Sequence, residues 1–426
     1  MNIVVMDLWD VPLTWYIPFC ILKEKKMEQI KKVTSLSQAL LWLGAAISLA
    51  EILTGALIAP LGFEKGFLAI ILGHLIGCAI IYYAGLIGAE TKLSAIESTR
   101  ISFGKNGSYV FSILNMIQLI GWTAVMIMNG AKAFDVVIKN TFGFENEALW
   151  SILIALLISV WIIVGIKNLN KINVFAVGGL LIFTLVLGGV VFFTKSSSSI
   201  ELTDAMTFGM AVELSVIMPL SWLPLISDYT KNVADEKMGT LASAGGYFLG
   251  STFMYTIGLG AAIFTGTSDI SAILMSVGLS ALALVIVLFS TVTTTFLDVY
   301  SAAVSFTNIS HKYSEKLVSL IVCAIGLALA IFVDASQFEN FLYLIGSVFA
   351  PLFAILLTDY FILKKNKIND EIPLNIKNSA VWIIGVCVYR YLLNMDTPIG
   401  ITLPTMIITS LLCIIINGGL KLCSKK

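Results

Sequence analysis

Apolar stretches, each close to the length of a membrane-spanning helix, follow one another along almost the whole chain. A helix needs about 20 mostly apolar residues to cross the hydrocarbon of a bilayer. Most of the stretches lack the polar stripe, repeated every three to four residues, that an amphipathic helix of a soluble protein shows. The pattern predicts an all-α membrane protein with twelve spans, near 38–60, 66–88, 109–133, 148–166, 173–194, 206–227, 242–264, 275–303, 316–333, 339–362, 378–394 and 398–417.

The connections between these spans are short and polar, so the chain is predicted to form a single transmembrane domain over residues 38–420, with cytoplasmic tails at 1–37 and 421–426. Residues 1–26 are apolar but interrupted by Asp7, Asp10, Pro12 and Pro18, and they lack the basic start and cleavage site of a signal peptide. We expect either a tail that lies on the membrane surface or an over-long gene start, with Met27 as the initiator.

Composition agrees with a bilayer protein, because 58% of the residues are hydrophobic, 12% are charged, and the mean hydropathy is +0.95. The formal net charge is zero and there is no long basic run, so no nucleic-acid partner is expected. The six cysteines form no CxxC pair, and His74 and His311 lie far apart. No zinc site is therefore expected, and no organic cofactor is predicted.

Lysine and arginine are distributed unevenly between the two sides of the predicted membrane domain. With a cytoplasmic N-terminus, 21 of the 26 basic residues fall in tails and connections on the inside. Cytoplasmic loops carry such an excess. We therefore expect a multi-pass protein of the cell membrane with both termini in the cytoplasm.

Four acidic residues lie within predicted spans: Glu51 in span 1, Glu213 in span 6, Asp298 in span 8 and Asp359 in span 10. A charge within the hydrocarbon is costly and usually faces a cavity or a partner. Asp359 has basic neighbours close behind it, and Glu213 lies near the outer surface. Glu51 and Asp298 are central, and we expect both to line a substrate path. The alternative is a neutral acid hydrogen-bonded to another helix.

Two prolines, Pro219 and Pro224, lie five residues apart in span 6. Each removes a backbone donor, and broken helices in membranes occur where the freed groups meet a cavity, a ligand or an ion. The spacing predicts a break at mid-membrane, with a simple kink as the alternative. Span 1 is less clearly interrupted, although its small residues from Gly44 to Ser48 would admit a partner backbone or an ion.

Span 8 carries a group of hydroxyls, at Ser290, Thr291 and 293–295, just before Asp298. Hydroxyls can bond back to their own helix, but they are also hard ligands of the kind that sodium takes. In span 3, one helical stripe joins the residues Asn115, Gln118, Trp122 and Met126. A tryptophan on such a stripe either packs against another helix or offers a flat surface for a ring to stack on.

Several short motifs occur in the order and at the distances found in one transporter family. They are 88–94 and Arg100–Gly104 after span 2, Gly121–Trp122 in span 3, Asp228–Tyr229 after span 6, Thr293–Thr294 in span 8, and 350–352 with Asp359–Tyr360 in span 10. In these motifs the chain resembles the nucleobase:cation symporter-1 family over all of its spans. The branch it resembles most is the CytX-type hydroxymethylpyrimidine transporters among the cytosine permease relatives.

The resemblance implies a LeuT-type fold, with spans 1–5 and 6–10 as inverted repeats and two further C-terminal helices. It also implies a stacking role for Trp122 and a cation site between spans 1 and 8. Its ligands would be carbonyls of Gly44, Ile47 and Ser290 and hydroxyls of Thr293 and Thr294.

The chain departs from the family pattern at three positions that contact substrate in relatives. Met126 stands where the family often has a glutamine, Pro219 where relatives have a second stacking tryptophan, and Val299 where an asparagine is common. Trp222 lies one turn beyond Pro219. The predicted substrate-binding residues are therefore Ser48, Glu51, Gln118, Trp122, Met126, Pro219, Trp222 and Asp298.

These features predict a secondary transporter that imports a small heterocycle, hydroxymethylpyrimidine in preference to cytosine or a purine, and works as a monomer. Threonine hydroxyls favour sodium as the coupling cation, whereas the central carboxylates favour a proton. An amino-acid substrate is disfavoured because Glu51 would repel its carboxylate. A membrane enzyme would need a nucleophile–base pair or a metal-ligand set, which the sequence lacks. A channel fits the isolated central acids less well than a closed binding pocket does.

Overall fold

The computed structural model describes residues 32–164, 206–268, 281–333, 337–369 and 371–423, with isolated residues between 178 and 193. Within these ranges the chain is helical, and a single isolated bridge joins Val33 to Val233. The helices are α1 Ser35–Ala46, α2 Leu49–Leu57, α3 Phe63–Thr91, α4 Ala95–Ser98, α5 Arg100–Phe142, α6 Glu147–Val164, α7 Phe208–Leu220, α8 Leu223–Thr230, α9 Glu236–Thr265, α10 Ala281–Thr307, α11 Glu315–Phe332, α12 Phe338–Leu357, α13 Ile376–Leu392 and α14 Thr402–Cys423.

Seven helical segments in the described part of the chain are long and apolar enough to cross a membrane, and the bent pair of α1 and α2 makes an eighth. The prediction of an all-helical membrane protein is confirmed. The count of twelve stays a prediction, since span 5 at 173–194 falls largely outside the described residues. Residues 1–31, which include Met27, also lie outside them.

Polar caps set several helix starts a few residues ahead of the predicted spans. The hydroxyl of Thr34 accepts a hydrogen bond from the backbone N–H of Ser37 at 3.3 Å, so α1 begins at Ser35. The carboxylate of Asp235 accepts from the N–H of Met238 at 2.8 Å and starts α9. Such caps satisfy N–H groups that have no partner within the helix.

The sharpest break lies in span 1, where α1 and α2 meet at an angle of 59°. Ile47 and Ser48 leave the helical conformation there, with φ/ψ of −83°/86° and −144°/159°. Span 6 is interrupted at Ser221–Trp222 but runs as one 23-residue segment. The sequence predicted a clearer break in span 6 than in span 1, and this prediction is wrong. Pro224 lies in the first turn of α8, where a missing N–H costs little.

Glycines allow α9 to pass very close to α2. A Cβ at Gly258 would overlap the carbonyl oxygen of Ile52, and a Cβ at Gly55 would overlap that of Tyr255. The backbones touch at these two points, which only glycine permits without displacement. Further along α9, this approach places Tyr247 and Ser251 beside Glu51.

Two of the membrane acids bind to neighbouring elements of the fold. Both oxygens of Glu213 are engaged: Oε1 accepts from the hydroxyls of Tyr389 and Thr402 at 2.6 Å, and Oε2 accepts from backbone N–H groups at the start of α14. Asp359 binds the amino group of Lys365 at 2.6 Å and the amide of Asn378 at 2.7 Å. Both acids hold helices together, and Asp359 pairs with one of the basic neighbours that the sequence places just behind it.

The buried side chains form two apolar clusters. One lies mainly among α1, α2, α3, α7, α9 and α12, the other lies mainly among α6, α10 and α11, and α5 contributes to both. Trp222 and Tyr229, on the second half of span 6, pack against both clusters. The boundary between the clusters therefore passes the interruption of span 6.

Candidate substrate and cation site

A cavity lies at this boundary, beside the breaks in spans 1 and 6. Its wall is mostly apolar and aromatic with a few polar side chains, which is the usual makeup of a small-ligand site. Two of its polar wall residues, Ser48 and Ser221, lie at the interruptions of spans 1 and 6. Its lining residues are Ala45, Ser48, Ala50, Glu51, Leu119, Trp122, Met126, Met218, Ser221, Trp222, Leu225, Thr294 and Asp298.

Six of the eight predicted substrate-binding residues line this one cavity although they come from four separate spans. The helices α1 to α2, α5, α8 and α10 bring them together. They are Ser48, Glu51, Trp122, Met126, Trp222 and Asp298.

Gln118 and Pro219 do not line the cavity. The side-chain amide of Gln118 donates to the carbonyl oxygen of Ser221 at 2.8 Å and to Asn115 at 3.2 Å. The ring of Pro219 lies against Gly77 of α3, and a Cβ atom added at residue 77 would overlap this ring. Gln118 thus supports the interrupted span, and Pro219 contributes to helix packing.

Two tryptophans form aromatic walls of the cavity. Trp122 is fixed edge-to-face by Phe338 and Phe341 of α12, with ring centroids 6.0 and 5.5 Å away. Trp222 meets Trp42 edge-to-face at 5.3 Å and Tyr247 at 6.1 Å. Because rings held in this way lose little further freedom when a ligand arrives, they are preorganised for stacking.

The two central acids differ in how they are bound. Glu51 has both carboxyl oxygens engaged by α9, with the hydroxyls of Tyr247 and Ser251 each at 2.7 Å. Asp298 is 5% exposed, and no described residue donates a hydrogen bond to it or pairs with it as a cation. Buried polar groups normally have partners. Asp298 is therefore the acid that is open to a ligand.

The predicted cation ligands are partly gathered at the same place. Thr294 lines the cavity, Thr293 is buried next to it, and Ile47 lies at the break of span 1. The carbonyl of Gly44 accepts from the N–H of Ile47 at 3.2 Å and keeps a second lone pair. Carbonyl and hydroxyl oxygens suit a hard monovalent cation. The side chain of Ser290 lies outside the described residues.

Several wall residues were not singled out in the sequence. Leu119 shares the helix face of Trp122 and Met126, and Met218, Trp222 and Leu225 recur at intervals of four and three. Helical periodicity around the two tryptophans was the signal that could have found them. Trp42, which supports Trp222 from behind, lies one turn before the break and offered no such signal.

Comparison with known proteins supplies the family. The profile of a family described as permeases for cytosine/purines, uracil, thiamine and allantoin matches residues 27–392. The chain belongs to this permease family. The family's activity is transport, so the prediction of a membrane transporter instead of an enzyme is confirmed at this level.

Relatives and solved structures agree with this assignment. The cytosine permease of Escherichia coli (strain K12) is 27% identical over 327 residues, which cover 75% of both chains. The hydantoin permease of Microbacterium maritypicum is 21% identical over 374 residues, covering 80% of this chain and 75% of that protein.

The fold is similar to that of Mhp1, a nucleobase-cation-symport-1 family transporter solved in a closed conformation with bromovinylhydantoin bound. The TM-score is 0.76, at 21% identity over 91% of this chain and 92% of that one. A Na⁺-coupled sialic acid symporter aligns with a TM-score of 0.65, at 15% identity over 91% of this chain and 89% of that one. The predicted LeuT-type fold is confirmed.

Proposed function

We propose that this family member is a secondary transporter that imports an aminopyrimidine through the central cavity by symport with a cation. Hydroxymethylpyrimidine, a precursor of thiamin, is the favoured substrate, and cytosine is the nearest alternative. The proposal rests on the carboxylate of Asp298, to which no described residue donates a hydrogen bond, in the same cavity as two rigid tryptophans.

The substrate ring stacks on Trp122, with Trp222 as a second aromatic contact. Stacking of a base on an aromatic side chain contributes about 1–3 kcal/mol. It tolerates different ring substituents because every base has a π-face. Stacking therefore accounts for affinity toward heterocycles as a class and leaves the choice between them to polar groups.

Asp298 distinguishes between heterocycles by accepting a hydrogen bond from an exocyclic amine. The contact is charge-assisted, and such bonds are about twice as strong as neutral ones. Cytosine and hydroxymethylpyrimidine both carry this amine, whereas uracil and hydantoin present a carbonyl in its place. The carbonyl oxygen would meet the carboxylate unfavourably, so these compounds should bind less well.

Met126 favours an apolar substituent on the ring. Its thioether lines the cavity beside Trp122, at the position where the family often carries a glutamine. A flexible, polarizable side chain adapts to a methyl group, whereas a buried amide would need a polar partner. This supports methyl-bearing hydroxymethylpyrimidine over cytosine.

Sodium and a proton are the two candidate coupling cations, and a sodium ion would be held near the break of span 1 by carbonyls of Gly44 and Ile47 and hydroxyls of Thr293 and Thr294. Binding of the coupling cation stabilises one of the inward-facing and outward-facing states of the carrier and raises its affinity for the substrate. The coupling free energy between the two sites is about 1–3 kcal/mol. The transporter acts in the cell membrane as a monomer, with both termini in the cytoplasm, as the distribution of lysine and arginine favours.

Equilibrium binding to the purified protein tests the proposal. Quenching of tryptophan fluorescence would be titrated with hydroxymethylpyrimidine, cytosine, uracil and hydantoin. We expect the two amines to bind more tightly than the two compounds without an amine. Equal affinities for all four would contradict the role of Asp298, and no binding of any of them would contradict the proposed function.

A further inference from the structure

A buried chain of hydrogen bonds leads from the cavity through α9 to α3. Glu51 Oε2 lies 2.7 Å from Ser251 Oγ, which lies 2.6 Å from His74 Nε2. The other ring nitrogen, His74 Nδ1, is 2.8 Å from the carbonyl oxygen of Ile70. All three side chains are at most 2% exposed, and Glu51 alone of them lines the cavity.

The number of protons in this chain follows from which atoms can donate. The carbonyl of Ile70 can only accept, so His74 Nδ1 carries a proton. A neutral imidazole then has a bare Nε2. Two hydrogen bonds connect Glu51, Ser251 and His74, and Ser251 supplies a single hydroxyl proton. One further proton is required, on either Glu51 or His74 Nε2.

With the proton in either place, both hydrogen bonds that join Glu51, Ser251 and His74 can form. In one, the protonated carboxyl of Glu51 donates to Ser251, whose hydroxyl donates to His74 Nε2. In the other, Ser251 donates to the Glu51 carboxylate and receives a hydrogen bond from the imidazolium. The forms interconvert when the Glu51 O–H bond breaks, its proton bonds to Ser251 Oγ, and the serine proton passes to Nε2. Oε1 accepts from Tyr247 in either form.

We propose that Glu51, Ser251 and His74 form a binding site for a single exchangeable proton, and that this proton is the coupling ion of the transporter. The second part rests on the proposed transport function. The first part does not, because the hydrogen-bonded chain requires the proton whatever the cavity carries.

Loss of the proton breaks one link of the chain. With Glu51 ionised and His74 neutral, Ser251 can donate to only one of them, and two lone pairs face each other across the remaining short distance. An unmade buried hydrogen bond costs about 1–3 kcal/mol. The proton thus holds the second half of the broken span 1 against α9 and α3, and its departure into the cavity releases that half.

The titratable groups that surround Glu51 favour a proton as the ion bound at this site. Tyr247 and Tyr255 face Glu51 from α9, Cys78 faces it from α3, and Asp298 shares the cavity from α10. The cavity-lining side chains of α5 and α7 carry no titratable group. None of the ion pairs among the described residues includes Glu51. Among the residues that the structure describes, no fixed cation replaces the proton.

Nitrogen NMR on the full-length protein tests the site directly. The sequence holds two histidines, and His311 is exposed, so His311→Gln leaves His74 as the sole source of an imidazole signal. With ¹⁵N-histidine in lipid nanodiscs, we expect a protonated Nδ1 and an Nε2 that is either a strong acceptor or protonated. A ring protonated at Nε2 and bare at Nδ1 would overturn the proposal.

A second arm uses Ser251→Ala in the same background, with Ser215→Ala as the matched control. Ser215 is buried, and its hydroxyl bonds to the carbonyl of Ala211 in its own helix. We expect the Nε2 signal to move in the Ser251 variant and to stay in the control. An unchanged Nε2 signal in the Ser251 variant would overturn the relay.

Coupling is tested by uptake of radiolabelled cytosine and hydroxymethylpyrimidine into proteoliposomes under separate proton and sodium gradients. We expect accumulation under an inward proton gradient, reduced about 5- to 150-fold by Ser251→Ala and retained by Ser215→Ala. Accumulation under the sodium gradient alone would overturn proton coupling while transport stands. If neither compound is carried, the transport function fails, and the NMR result still decides whether the proton site exists.

Discussion

The side-chain amide of Gln118 donates a hydrogen bond of 2.8 Å to the carbonyl oxygen of Ser221. The N–H of Leu225 bonds to Trp222 instead, at 3.0 Å, so the Ser221 carbonyl lacks its usual helical donor. A residue of α5 therefore completes the hydrogen bonding of the interrupted span 6. Both residues that form the interruption, Ser221 and Trp222, line the cavity.

Replacing Gln118 by leucine of similar size should destabilise the protein without placing a new group in the cavity. The buried Ser221 carbonyl would lose its donor, at a cost of about 1–3 kcal/mol. Thermal unfolding in detergent should show a lower midpoint than wild type. Asn394→Leu, at an exposed amide, is the control and should leave the midpoint in place. Equal midpoints for the two variants would contradict the supporting role of Gln118.

Asp298→Asn should weaken binding of aminopyrimidines while keeping the shape of the cavity. The hydrogen bond from the exocyclic amine remains but loses its charge assistance, and a loss of about 1.4 kcal/mol corresponds to tenfold weaker binding. Titration of tryptophan fluorescence with hydroxymethylpyrimidine measures this change. Uracil should bind the variant at least as well as wild type, because its carbonyl no longer faces a carboxylate. Unchanged affinity for the amine would remove Asp298 from the site.

Trp122→Ala should weaken binding of every ring compound, whereas Trp122→Phe should retain part of the affinity. The expected loss on truncation is about 1–3 kcal/mol, the contribution of one stacked aromatic side chain. Binding assays with cytosine and hydroxymethylpyrimidine distinguish the two variants. Normal membrane insertion and a preserved melting transition of the phenylalanine variant serve as the control. Uptake at the wild-type rate in Trp122→Ala would exclude stacking.

Gly258→Ala should disturb the packing of α9 on α2. The added Cβ would overlap the carbonyl of Ile52, whereas a Cβ at Gly245, on the same helix, meets nothing within 4 Å. Glycine to alanine inside a helix is otherwise stabilising by roughly 1 kcal/mol. We expect a lower melting midpoint for Gly258→Ala and an unchanged or higher one for Gly245→Ala. A stabilised Gly258→Ala variant would contradict the close backbone approach.

The sequence predicted the parts of the site that depend on residue type at a single position. A tryptophan on a helical stripe, such as Trp122, can be recognised from the sequence alone. The same holds for a carboxylate within an apolar span, such as Glu51 or Asp298. For the helices that the structure describes, hydropathy located the spans to within several residues, apart from α5, which begins at Arg100 and changes direction at Gly104, with φ of +74°.

The remaining features depend on contacts between distant positions. The break of span 1 has no proline to mark it, since it is formed by Ile47 and Ser48 leaving the helical region. The different bonding of Glu51 and Asp298 is decided by Tyr247 and Ser251, about 200 residues away from Glu51. Likewise, Gln118 lies on the same helical stripe as Trp122, but its side-chain amide donates to the carbonyl oxygen of Ser221.

The most direct measurement is uptake of radiolabelled hydroxymethylpyrimidine into proteoliposomes that contain wild-type protein or Asp298→Asn, with cytosine measured in parallel. Wild type should accumulate an aminopyrimidine above its external concentration under an imposed cation gradient, and the variant should accumulate less at limiting substrate. If wild-type protein shown to be folded in the vesicles accumulates neither compound under a gradient, it is not an aminopyrimidine symporter.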